Sequence, residues 1–458
     1  MSACSSAPMQ RGGMRARSLA LLIVIVLVVI AGIWLLGGPG PTGFSKGPRV
    51  ALAQYPGKDP TGAPAALAGE SAVTRGEYLA KAADCVVCHT AHGGQPFAGG
   101  LAFPLPFGTI YSTNITPDSQ NGIGAYTDAQ FLDAVRRGVR RDGARLYPAM
   151  PYGSYTYMTD ADALAIKAYL FALEPVSAPN RASTLGFPFN QRFLMAVWSG
   201  LFSANERFRP DTSQSPEWNR GAYLAEALGH CGECHTPRNL AYALDERRKF
   251  GGAIIGGWHA YNISADRGTG IGAWSDDELI SYLSGGHAAH RGSASGPMGE
   301  VVEASLSQLD PADIRALAAY VRSVPAVSSP ELPRTIAGAA TLSHRDGGGA
   351  ANAVGKQVFE GACAGCHGWS GISPLSAVAD LTGARAVNDP QATNVVQIVL
   401  AGEERFSGPV ALHMPAFGGS YSDHEVAAVA NYVTARFGSK GSSLDARNVE
   451  LLRAQSVR

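Results

Sequence analysis

A chain of 458 residues has room for about three domains of ordinary size. Its 37 Lys+Arg balance 37 Asp+Glu, and a formal charge of zero excludes the basic excess of a nucleic-acid binder. The 55 Gly and 28 Pro imply small, loop-rich domains.

Arg11, Arg15 and Arg17 precede Leu19–Leu36, an uncharged run of 18 residues that Gly37-Gly-Pro-Gly40 ends. That is just long enough for a transmembrane helix. The arginines lead, so the positive-inside rule puts residues 1–45, a cytoplasmic tip and an anchor, at the inner membrane and everything beyond in the periplasm. A cleaved signal peptide competes with this reading. Ala51-Leu-Ala53 would suit cleavage but stands some fifteen residues beyond the apolar run, too far for the usual arrangement, so a retained anchor is favoured. Phe193–Phe202 is apolar but only ten residues long, and 439–458 reads as a polar tail.

After a linker at 46–70, one pattern recurs three times, in 71–178, 216–325 and 351–438. Each copy holds Cys-x-x-Cys-His: Cys85-Val-Val-Cys88-His89, Cys231-Gly-Glu-Cys234-His235 and Cys363-Ala-Gly-Cys366-His367. This spacing is the attachment signature of haem c, two thioethers and a proximal histidine. Zinc would require two ligand pairs per metal, and a thioredoxin-like motif would require a βαβ context. The chain therefore reads as carrying three covalently bound haem c groups.

Arg75-Gly-Glu-Tyr-Leu-Ala80, Arg220-Gly-Ala-Tyr-Leu-Ala225 and Gly355-Lys-Gln-Val-Phe359 predict a helix ahead of each motif. Apolar spacing predicts a closing helix in Asp160–Leu170, Asp310–Val321 and Asp423–Val433, packed across the first. The fold class is all-α: three tandem cytochrome c-type domains behind an N-terminal transmembrane helix. The linker at 179–215 contains Phe187, Phe189, Phe193, Trp198 and Phe202 and reads as a packed or partner-facing strap; 326–350 is Pro-, Ser- and Gly-rich.

A pure electron carrier wants a six-coordinate iron, usually with methionine opposite histidine. Met298 is the only methionine between the second and third motifs, and Met414 the only one beyond the third. The first copy offers Met150 and Met158. Met150 shares Met-Pro with Met414 and stands 19 residues before Tyr169, against 18 between Met414 and Tyr432. Met150 is therefore the expected ligand and Met158 a core residue. His92, His287, His290 and His413 are the alternatives, and bis-His ligation stays open at the second haem. His230 cannot reach round its own ring. Arg238 is a candidate for a haem propionate, with a surface salt bridge as the competing reading. Asn114, Asn262 and Trp274 could line haem edges or only shape turns.

Tyr111-Ser-Thr-Asn-Ile-Thr-Pro-Asp118, Leu146-Tyr-Pro-Ala-Met-Pro-Tyr152, Gly229-His-Cys-Gly-Glu-Cys-His-Thr-Pro-Arg238, Gly296-Pro-Met-Gly-Glu-Val-Val302 and Met414-Pro-Ala-Phe417 occur in this order between about 71 and 438. In this the chain resembles the triple-haem cytochrome c subunits of membrane-bound bacterial dehydrogenases of the alcohol, gluconate, fructose and aldehyde type. The resemblance implies axial pairs His89/Met150, His235/Met298 and His367/Met414. It also implies a catalytic partner subunit of quinoprotein, flavin or molybdopterin type, with ubiquinone or a terminal oxidase as acceptor. Such subunits commonly associate through the C-terminal region, whereas here the N-terminal helix reads as the anchor. The competing functions are a free-standing haem enzyme, of peroxidase or thiosulfate-oxidising type, and an independent membrane electron carrier. A haem gas sensor ranks last.

Overall fold

The computed structural model describes residues 12–36, 42–329, 353–407 and 410–456. Cys4 and most of the 326–350 linker lie outside them. Helix α1, Gly12–Leu36, takes in the expected membrane span, and Leu19 and Leu21 through Val29 are exposed. Part of that span has side chains outside the described residues. Among the described residues no helix is long and apolar enough to cross a membrane.

One packing device is repeated three times. In the first unit α2 (Ala72–Ala82) leads into the single-turn α3 (Cys85–Cys88). The hairpin β1–β2 (Ala102–Leu105, Gly108–Tyr111), α4 (Asp128–Arg137), the short α5 (Tyr152–Tyr155) and α6 (Asp160–Phe171) follow. Helix α7, Leu194–Phe202, lies in the strap. In the second unit α8 (Pro216–Tyr223) and a π-helical turn (Leu224–Leu228) run into α9 (Gly232–His235). Beyond them lie β3–β4 (Ala253–Ile255, Trp258–Ala260), α10 (Asp276–Gly285), β5–β6 (His287–Ala288, Gly292–Ser293), α11 (Pro297–Ala304) and α12 (Pro311–Ser323). The third unit has α13 (Ala353–Val358), a π-helical turn (Phe359–Cys363), α14 (Ala364–His367), α15 (Thr393–Ala401), β7–β8 (Glu403–Ser407, Val410–Met414) and α16 (Asp423–Phe437).

Helix α2 crosses α6, α8 crosses α12 and α13 crosses α16. Glycine makes the crossing possible. A Cβ on Gly76 would stand 1.9 Å from the Ala165 carbonyl oxygen, one on Gly221 1.9 Å from that of Ala316, and one on Gly355 2.1 Å from that of Ala428. Thr127 and Ser275 cap α4 and α10 with full capping boxes through Gln130 and Glu278.

The units are not equally separate. One apolar core runs through the first two, from Tyr78 and Leu79 to Tyr320 and Val324, while the third has its own around Phe359, Val396, Val426 and Tyr432. The first two also exchange buried hydrogen bonds reciprocally. Tyr78 of α2 donates to Asp313 of α12 at 2.6 Å, and Tyr223 of α8 donates to Asp162 of α6 at 2.5 Å. Arg220 adds a bidentate pair to Asp313 at 2.8 and 2.6 Å.

Two expectations change. Among the described residues four short antiparallel hairpins sit among the helices, so the fold is mainly helical with small strand pairs. The polar tail holds α17, Ala446–Gln455, whose Asp445 cap bonds Asn448. Val449 is fully buried and Leu452 packs beside it on the third core. These two apolar positions at i, i+3 dock the helix together with Arg453, which pairs with Asp423 at 2.8 Å.

Candidate haem sites

Each motif forms a single helical turn directly after the first helix of its pair, which sets two cysteines and a histidine side by side. No disulfide joins the six motif cysteines, so every one of these sulfurs is available for a thioether bond. Burial pushes the thiols of Cys85 and Cys231 up to about 12.

The three histidines share one geometry. The Nδ1 atom of His89 bonds the Thr113 carbonyl at 2.6 Å, that of His235 the Tyr261 carbonyl at 2.6 Å and that of His367 the Ala379 carbonyl at 2.7 Å. A carbonyl only accepts, so Nδ1 carries the proton in each ring. Nε2 keeps its lone pair, as an iron ligand requires. Burial lowers the pKa of His89 and His235, which favours the neutral ring.

In the first unit Cys85, Cys88, His89 and Met150 line one cavity of about 720 Å³, walled by Ile123, Phe131, Val135, Ile166 and Leu170. Its lining suits a largely apolar group fixed through two thiols. Met158 touches the same cavity but is 1% exposed within the core. It directly precedes the cap of α6, as Leu309 does for α12 and Tyr421 for α16, so it holds an apolar core position common to all three units.

Met298 lies in the first turn of α11 and is half-buried against the shared core. Met414 ends β8 opposite Glu403. The Glu403 carboxylate accepts from the Gly296 backbone at 3.0 Å, so the two methionine segments are neighbours. His92, His290 and His413 are exposed, and His287 bonds the Ser293 hydroxyl at 3.0 Å.

Arg238 is engaged inside its own motif, donating to the Glu233 carboxylate at 2.7 Å and to the Glu233 carbonyl at 3.0 Å. Arg140, Arg141, Arg181 and Arg192 are the guanidinium groups that line the first cavity. They lie up to 100 residues beyond the motif, and no local pattern marks them. Asn114 and Asn262 brace turns: each accepts from the residue two positions on at 2.8 Å and donates to a distant carbonyl, of Val176 and Val327 respectively. Asn114 also reaches the cavity wall.

A turn carrying two thiols and an Nδ1-anchored histidine, between two crossed helices, defines a cytochrome c. Family models agree: "Cytochrome c" matches residues 73–174, and "Cytochrome C oxidase, cbb3-type, subunit III" matches 350–433. Covalently bound haem c follows from these domains. The chain is 39% identical to the fructose dehydrogenase cytochrome subunit of Gluconobacter japonicus, over 86% of this chain and 85% of that one. It is 40% identical to the gluconate 2-dehydrogenase cytochrome c subunit of Pantoea cypripedii, over 84% and 90%. It is 37% identical to the cytochrome c subunit of the quinone alcohol dehydrogenase of Gluconobacter oxydans, over 84% and 83%. The chain belongs to the family of cytochrome c subunits of dehydrogenases.

Proposed function

We propose that the chain is the triple-haem electron-transfer subunit of a periplasmic dehydrogenase complex, held at the inner membrane by Leu19–Leu36. It accepts electrons from a catalytic subunit of quinoprotein, flavin or molybdopterin type and delivers them to ubiquinone or a terminal oxidase. The observation that carries this reading is the common Nδ1-to-carbonyl bond of His89, His235 and His367. Haem c, when bound, supplies a one-electron iron couple. Cys85/Cys88, Cys231/Cys234 and Cys363/Cys366 would fix it, and Met150, Met298 and Met414 would take the sixth position. Six-coordination suits electron transfer and disfavours substrate chemistry at iron. The strap adds a surface for the partner: Phe187, Phe193 and Val197 are exposed on it, with Leu240 beside it, and such contiguous apolar side chains mark interfaces.

The test is purification from the native membrane in mild detergent, followed by haem counting and addition of alcohols, aldehydes and sugar acids. Three haems per chain, a stoichiometric large subunit and haem reduction by its substrate are expected. A chain that purifies alone, with no substrate able to reduce it, would move the role to a free-standing carrier or haem enzyme.

A further inference from the structure

The residue ahead of the second motif belongs to the first cavity. His230 has left-handed backbone, φ 36°. It lines the space bounded by Cys85, His89 and Met150, whose other lining residues all fall within 83–192. Contacts across the junction hold it there. The Ala83 carbonyl lies beside the His230 ring. Its ring meets Tyr155 edge-on, with centroids 5.4 Å apart and planes at 77°. The Tyr155 hydroxyl donates to the same Ala83 carbonyl at 2.6 Å. One carbonyl, two residues before Cys85, thus gathers a side chain from each unit.

We infer that His230 is a positioning residue of the first haem site, supplied by the second unit: it closes that pocket against water and so sets the reduction potential there rather than at its own motif. Oxidation adds a positive charge to the site, and a dry wall disfavours that charge, which holds the potential up. The inference rests on Cys85, Cys88 and His89 holding a haem.

The test uses the full-length protein in detergent and its variants His230→Ala and His230→Phe. Haem content is counted first. Each reduction wave is then followed optically and by electron paramagnetic resonance of the ferric state, with Met150→His and Met298→His marking the first and second sites. In His230→Ala the first site's wave moves to lower potential while the third stays in place. In His230→Phe, which refills the wall without a ring N–H, it returns most of the way. A shift confined to the second site, no shift with haem content intact, or loss of the haem at Cys231/Cys234 would each overturn the inference. Absence of haem from Cys85/Cys88 in the unsubstituted protein would instead remove the reading beneath it.

Discussion

Met150 and Met158 line the same cavity, and substitution should separate the proposed ligand, Met150, from the core residue. Met158→Ala should cost about 2–5 kcal/mol in denaturant unfolding, the range for an emptied core methionine, and leave the reduced spectrum unchanged. Met150→Ala should cost less but open the sixth position, so that carbon monoxide binds the reduced protein. Carbon monoxide binding by the unsubstituted chain would contradict the methionine assignment. Asp84 gives a second residue-scale prediction. It is buried, has left-handed backbone at φ 54°, and its Oδ1 lacks a hydrogen-bond partner. Burial, with Glu300 nearby, pushes its carboxyl up from 3.8 to about 8. The folded state therefore binds the proton more tightly than the unfolded chain. Stability from this group is fully present below about pH 4 and declines as pH rises towards 8. Asp84→Asn, which tolerates the left-handed backbone, should flatten that decline. It should raise stability at pH 8 and change little at pH 4, as thermal melts across this range would show. The three motifs were legible in the sequence because chemistry fixes their spacing. The carbonyls that orient the histidines were not, since Thr113, Tyr261 and Ala379 contribute only backbone and stand 24, 26 and 12 residues from their partners.

At the scale of elements, the helix crossings depend on one missing methyl each. Gly221→Ala places a carbon 1.9 Å from the Ala316 oxygen and 2.7 Å from the Tyr320 Cβ. Neither α8 nor α12 can yield cheaply, so a loss of roughly 1–3 kcal/mol or more is expected, measured by chemical denaturation. The junction of the first two units depends on Asp313, which Tyr78 and Arg220 share. Asp313→Ala would strand a nearly buried guanidinium and should cost about 3–5 kcal/mol. Tyr78→Phe should cost less, because it removes two hydrogen bonds, one to Asp313 and one from the Asp310 backbone, and no charge. A loss as large for Tyr78→Phe as for Asp313→Ala would contradict this division. The crossing helices were readable from Gly and Tyr in repeated positions. The reciprocal Tyr–Asp exchange was not, because the same residues would satisfy packing within one unit.

At the scale of the whole molecule, the two cores divide the chain differently from its three motifs. The first two units share apolar side chains, whereas the third docks on the second largely through polar contacts. His259 Nδ1 bonds Asp389 at 2.9 Å, the Asn394 amide donates to the His259 carbonyl at 3.0 Å, and the Ser293 hydroxyl donates to the Val378 carbonyl at 2.8 Å. Hydrogen exchange should therefore show α2, α6, α8 and α12 opening as one cooperative group and α13, α15 and α16 as another. Uniform protection across both groups would refute the division. The repeats suggested three tandem domains because sequence similarity shows which pieces are alike, not which faces they bury together.

That unequal division also bears on descent. A boundary crossed mainly by hydrogen bonds can be gained or lost by recombination without opening a hydrophobic wound. A boundary that is itself a core cannot. On that ground the first two units should resist being parted by any rearrangement of the gene, while the third should be the one that can be joined or removed with its neighbours still folded.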